Sequence, residues 1–137
     1  MKKLVVTGGL GFIGSNFIKK SLLKNYKILN IDKVTYAGNA DNLKNLQNIK
    51  NYQFLKADIS SVNIKKKILN FKPDGIIHFA AETHVDRSIG NPQRFLKTNI
   101  LGTYNLLEVA KINKNIKFVH ISTDEVYGDL GKTKKKI

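Results

Sequence analysis

Leu4-Val5-Val6-Thr7-Gly8-Gly9-Leu10-Gly11-Phe12-Ile13-Gly14 is the stretch on which the reading of the whole chain turns. A short apolar run breaks into a glycine cluster, the pattern of a buried parallel strand turning sharply into a helix. Two spacings overlap in the cluster, Gly8-x-x-Gly11-x-x-Gly14 and Gly9-x-Gly11-x-x-Gly14. Such glycines make a tight turn off the strand, let backbone approach a pyrophosphate, and let the helix pack closely on the strand. The anion would lie over the N–H groups at the helix N-terminus, where the dipole also favours negative charge. A glycine trio alone is weak, but this one is followed by Asp32 at the end of the next strand-like run. A carboxylate there accepts hydrogen bonds from a ribose diol and repels a 2′-phosphate, which points to NAD rather than NADP. Lys33, the next residue, pulls the other way, because a cation tolerates that phosphate.

Outward from the loop, strand and helix patterns alternate. A helix over about Phe12 to Lys24 carries Phe12, Ile13, Phe17, Ile18, Leu22 and Leu23 as an apolar stripe. Lys27 to Ile31 reads as the second strand, and a short helix carries Leu43, Leu46 and Ile49. Tyr52 to Ala57 is the third strand. Ile64, Ile68, Leu69 and Phe71 mark a helix stopped by Pro73, and Gly75 to Phe79 is the fourth strand. A long amphipathic helix starting near Pro92 carries Phe95, Leu96, Ile100, Leu106, Leu107, Val109 and Ile112, and Ile116 to Ser122 is the fifth strand. This alternation predicts one α/β domain over 1–137. Its expected form is a Rossmann-like doubly wound parallel sheet of order 3-2-1-4-5, truncated after about five strands, with its crevice between strands one and four.

A net charge of +14 invites a nucleic-acid reading, yet the lysines run through every segment and only Arg87 and Arg94 are arginines. Apart from Lys65-Lys66-Lys67 and the lysine-rich tail after Gly131 there is no concentration, so a solvated basic surface is expected and nucleic acid is not. No cysteine is present, which removes disulfides and thiolate metal sites, and no compact His/Asp/Glu set suggests a metal. His78 and His120 are expected to be buried strand residues. The chain opens straight into a strand and has no apolar run near the ~18 residues that span a bilayer. The expectation is a soluble, cytoplasmic protein.

Four further segments are longer than generic dinucleotide binding requires: Asn30 to Asn39 (NIDKVTYAGN), Phe79 to Ser88 (FAAETHVDRS), Thr98 to Thr103 (TNILGT) and His120 to Gly128 (HISTDEVYG). Together with the glycine loop they resemble the extended short-chain dehydrogenase/reductase family, and within it the dehydratases acting on dTDP-glucose, over positions from about 3 to 130. The resemblance implies NAD contacts at Gly8, Gly11, Phe12, Ile13, Gly14, Asp32, Lys33, Val34, Thr35, Asp58, Ile59, Phe79, Ala80, Ala81, Glu82, Thr83 and Thr98. It implies nucleotide-sugar contacts at Thr83 and Thr123. It also implies an elimination in which Thr123 holds the sugar near its C4 oxygen, Glu125 removes the C5 proton and Asp124 protonates the departing C6 hydroxyl. Two acids with opposite roles need different environments. The long helix resembles the one through which full-length relatives form homodimers.

The family also uses a Tyr-x-x-x-Lys motif on the helix after strand five. Within these 137 residues that spacing is met by Tyr52 and Lys56, which lie in a strand, where such an offset does not align side chains as a helix does. The chain ends nine residues after Gly128. The expectation is therefore an N-terminal NAD-binding portion, without turnover by itself, whose fifth strand is an exposed edge inclined to self-associate. The alternatives are a portion of another NAD-dependent nucleotide-sugar epimerase or dehydratase, and a non-catalytic dinucleotide-binding module.

Overall fold

The computed structural model describes residues 1–84 and 89–128, and at Asp124 and Glu125 the backbone alone. Arg87 and the lysine-rich tail thus lie outside the described residues. Strands β1 (Lys3–Thr7), β2 (Lys27–Asp32), β3 (Tyr52–Lys56), β4 (Gly75–His78) and β5 (Lys117–His120) form one sheet in the order β3-β2-β1-β4-β5. Every pair is parallel, with Val5 opposite Leu29 on one side and Ile76 on the other. The chain builds outward from β1 in one direction to β3, then returns to lay β4 on the other side of β1. That reversal opens the crevice at the C-terminal ends of β1 and β4.

Both faces of the sheet are covered. Val5 and Val6 are each fully buried, yet they enter different cores, because successive strand side chains point to opposite faces. Val5 joins Leu29, Ile31 and Ile76 beneath helix α2 (Ile64–Phe71) and a third helix, through Ile64, Ile68, Leu106 and Val109. Val6 and Ile28 pack against Ile18 of helix α1 (Phe12–Leu23) and against Leu43. Leu43 belongs to a 3₁₀ turn, Ala40–Leu46, started by the Asn39 side chain accepting from the Asp41 amide at 2.9 Å. The helix expected to reach Ile49 therefore stops earlier, and Ile49 is exposed.

Two expected stripes break up. On α1, Ile18 is buried, while Phe12, Ile13 and Leu23 are exposed; the other closely packed positions are Gly14, Ser15 and Ser21. Residues 92–112 form one continuous helix, α3, that begins as Pro92–Phe95, widens into a π segment at Leu96–Gly102 and resumes as Thr103–Ile112. Leu106 and Val109 face the core, but Leu96, Ile100, Leu107 and Ile112 face outward. Small and polar residues do the remaining inward packing. A Cβ on Gly102 would lie 2.6 Å from the Ile59 side chain, and Asn105 Nδ2 donates to the Ile59 carbonyl at 3.0 Å.

The strand histidines also divide. His120 is exposed on β5, which forms a sheet edge among the described residues, so its expected burial is corrected. His78 is buried, with Nδ1 2.6 Å from Thr7 Oγ1 and Nε2 2.9 Å from Thr103 Oγ1. Burial, and then the neighbouring His120, lower its pKa from 6.5 to about 4. The folded chain thus keeps His78 neutral where the unfolded chain takes up a proton. Its stabilising contribution is complete above pH 6.5 and is lost as pH falls toward 4, at up to about 1.4 kcal/mol per pH unit. The urea midpoint is expected to drop between pH 7 and pH 5, and His78→Gln to flatten that dependence; an unchanged slope in the variant would place the proton uptake elsewhere.

Candidate functional site

The strand exits converge on a crevice of about 500 Å³ lined by Gly8 after β1, Asp32 closing β2, Ala57 after β3, Phe79 after β4 and Ile121 after β5. That volume is within the usual range for a small-molecule site. Gly8 makes the first turn at φ +70°, its amide donating to the Ile31 carbonyl at 2.9 Å. Gly11 then caps α1 with extended backbone, no side-chain capping bond and no acidic residue in the first turn. The first-turn amides of a helix have no partner within it. Here they open on the crevice beside Gly11, Phe12, Ile13 and Gly14, a seat that suits a pyrophosphate. Gly14 is close-packed: an added Cβ would strike the Gly8 carbonyl oxygen. Phe12 is 82% exposed although apolar and in the crevice wall, a surface that a bound ligand would cover.

Asp32 holds the two sides of the loop together. Its Oδ2 accepts from the Leu10 amide at 3.0 Å and its Oδ1 from the Val34 amide at 2.8 Å. The carboxylate is 9% exposed and lines the crevice, so it is already oriented for a diol with lone pairs to spare. Val34 adopts φ +60°, a left-handed conformation uncommon for a β-branched residue, and its side chain lines a smaller cavity of about 190 Å³ with Leu10, Leu43, Tyr52 and Phe54. That turn leaves Lys33 on the crevice wall, its Nζ 2.8 Å from Thr98 Oγ1 and 3.3 Å from Glu82 Oε1. Asp58 lies between the lining residues Ala57 and Ile59 without lining the crevice itself. Its Oδ1 accepts from the Ser60 amide and hydroxyl, each at 2.8 Å.

The opposite wall is Phe79, Ala80, Ala81, Glu82 and Thr83, with Thr98 reaching in from the π segment of α3. Glu82 and Asn99 clasp each other: the Glu82 amide donates to Asn99 Oδ1 and Asn99 Nδ2 donates to the Glu82 carbonyl, both at 2.9 Å. Thr35 and Thr123 also line the crevice, and Asp124–Tyr127 forms one 3₁₀ turn directly after Thr123. The side chains of Asp124 and Glu125 lie outside the described ones. Of the sequence-predicted positions, only Val34 and Asp58 among the described side chains fall outside the lining. Ile31, Ala37, Gly38, Ala57, Ile121 and Ser122 line it without having been singled out. Gly38 comes close to the carboxylate: a Cβ there would stand 3.3 Å from Leu10 Cβ and 3.5 Å from Asp32 Oδ1. Among the described residues no group of three His, Cys, Asp or Glu could hold a metal ion, and no helix is long and apolar enough to cross a membrane.

Tyr52 and Lys56 do not make a catalytic pair. Four residues along a strand span about 13 Å. Tyr52 is buried beside Asn30, whose Nδ2 lies 3.0 Å from the phenol oxygen, and burial pushes the phenol pKa up. Asn30 Oδ1 is buried without a partner among the described residues.

A parallel 3-2-1-4-5 sheet, a glycine turn into an uncapped helix and a carboxylate at the second strand define a Rossmann-like dinucleotide-binding fold. The profile of the GDP-mannose 4,6 dehydratase family matches residues 5–136, and the chain belongs to that family. It is 47% identical over 140 residues to the dTDP-glucose 4,6-dehydratase of Salmonella typhimurium, covering 93% of this chain and 38% of that protein. It is similar to the crystal structure of Bacillus anthracis dTDP-glucose 4,6-dehydratase in complex with NAD. There the TM-score is 0.85 and the identity 42%, over 100% of this chain and 42% of that one. It also resembles DesIV, a dTDP-glucose 4,6-dehydratase of Streptomyces venezuelae with NAD bound, at TM-score 0.84 and 40% identity, over 96% and 42% of the two chains. The chain spans about two fifths of the length of the curated relatives it matches.

Proposed function

We propose that the chain is the N-terminal, NAD-binding portion of a dTDP-glucose 4,6-dehydratase, the enzyme that turns dTDP-glucose into dTDP-4-keto-6-deoxyglucose and water. One observation carries the proposal: Asp32, anchored by the Leu10 and Val34 amides, closes a crevice that begins at the open N-terminus of α1. In this reading the pyrophosphate lies over Gly11, Phe12 and Ile13, the adenosine ribose on Asp32, and the adenine toward Asp58 and Ile59. NAD, when bound, supplies transient oxidation of the sugar by hydride transfer. The chain's own residues orient the two ligands: Thr83 and Thr123 touch the nucleotide sugar, and Thr123 holds it near the C4 oxygen. Glu125 takes the C5 proton and Asp124 gives one to the leaving C6 hydroxyl. In the whole protein the outward face of α3, with Leu96, Ile100, Leu107 and Ile112, is where a homodimer would form, and the setting is cytoplasmic.

The 137 residues taken alone carry no helical Tyr-x-x-x-Lys, so one proton transfer, typically worth about 10²–10⁴-fold, has no residue to perform it. Incubated with NAD and dTDP-glucose, they are expected to be stabilised against heat by NAD but to form no 4-keto sugar. Product formation, or a melting temperature indifferent to saturating NAD, would overturn the reading.

A further inference from the structure

A cation beside the ribose carboxylate is the group that would accept a 2′-phosphate, and Lys33 stands there. Its amine is already engaged, donating to Thr98 Oγ1 at 2.8 Å and lying 3.3 Å from Glu82 Oε1 and 3.9 Å from Asp58 Oδ2. The Glu82 side chain is only 5% exposed, and the same Oε1 lies 3.5 Å from Arg94 Nη2. Glu82 is itself fixed by its main-chain clasp with Asn99. Asp58 and Glu82 thus face Lys33, and Glu82 also meets Arg94; with Asp32, three carboxylates stand against two cations here among the described residues.

We propose that Glu82 is a positioning residue for cofactor choice, holding Lys33 away from the ribose so that the site refuses a 2′-phosphorylated dinucleotide. To meet that phosphate, Lys33 would have to leave a buried carboxylate to the half-exposed Arg94 alone, and a buried carboxylate that gives up one of its two cations is costlier to keep. If Lys33 stays, the phosphate dianion meets a wall of its own sign. Asp32 supplies the hydrogen bonds that favour a free diol, and Glu82 draws away Lys33, the cation next to Asp32 in the chain. The proposal rests on the crevice being a dinucleotide site.

The test is calorimetric titration of the 137-residue chain and of Glu82→Gln with NAD and with NADP. The expected result is a shift of the NADP-to-NAD affinity ratio toward NADP of about tenfold, the scale of one charge-assisted hydrogen bond to the phosphate. The ratio, not either affinity alone, is the readout, and Lys33→Met in the Glu82→Gln background should abolish the shift. A purely structural Glu82 would lower both affinities together and leave the ratio fixed, which overturns the proposal. Should Glu82→Gln not fold, Glu82→Met removes the same carboxylate from a buried position while keeping its length, and a ratio unmoved there overturns the proposal equally. Folded wild-type chain that binds neither dinucleotide sinks the dinucleotide reading itself, a different outcome from an unmoved ratio.

Discussion

Asp32→Ala is expected to weaken NAD binding about a hundredfold. Two losses contribute. The carboxylate's hydrogen bonds to a ribose diol are charge-assisted, at about 1.5–3 kcal/mol each. The Leu10 and Val34 amides also lose their acceptor, so the loop and the β2 exit lose the link that holds them in register. Unfolding free energy should fall too, by about 2 kcal/mol, because a buried amide left without a partner costs about 1–3 kcal/mol. Asp32→Asn separates the effects: it keeps an acceptor for one amide, so stability should recover more than affinity does. Calorimetry and urea melts on the same samples read the two quantities, and an Asp32→Ala chain with wild-type NAD affinity would remove Asp32 from the site.

Gly8→Ala is expected to cost about 3 kcal/mol of stability and to abolish NAD binding. Alanine at φ +70° pays about 1–2 kcal/mol for a left-handed conformation. Its methyl carbon would sit 2.6 Å from the Ala80 amide nitrogen and 2.7 Å from Ala80 Cα, so the β1 and β4 exits would have to part. Such overpacking adds about 1–3 kcal/mol, and it spoils the crevice where the strand order reverses. Gly11→Ala is the contrasting variant. Gly11 has φ −70°, and the nearest atom to its added Cβ is the Gly8 oxygen at 3.3 Å. The fold should tolerate that change, while the approach of a pyrophosphate should not. Equal denaturation midpoints for Gly8→Ala and wild type would contradict this view of the turn.

The fold was legible because its signals are local and repeated. Apolar runs bounded by Gly8, Asp32 and Gly75 mark the strands, and handedness then leaves few ways to order them. The helices were less legible, because apolar residues on them serve different masters. Phe12 and Ile13 read as core but line the crevice, and Leu96, Ile100 and Leu107 read as one stripe with Leu106 and Val109 but face outward. The π segment, which brings Thr98 and Asn99 to the site, has no periodicity of its own to announce it. His120 carried the same strand pattern as His78, and only its place at the sheet edge separates them.

At the site, Asp32 and the glycines followed from spacing, whereas the roles of Thr123, Asp124 and Glu125 came from resemblance alone. The Lys33–Glu82–Arg94 cluster could not be read from sequence, since its members leave β2, β4 and the start of α3 and meet only when the sheet is assembled. That meeting answers the question Lys33 posed beside Asp32: the cation is present, but it is held by Glu82 and Thr98.

Isothermal titration of the folded 137-residue chain with NAD tests the central claim most directly. One saturable site per chain, with the negative heat-capacity change of apolar burial as Phe12 and Ile13 are covered, is the expected result. A chain that is folded by circular dichroism yet gives no saturable heat up to about millimolar NAD would contradict it.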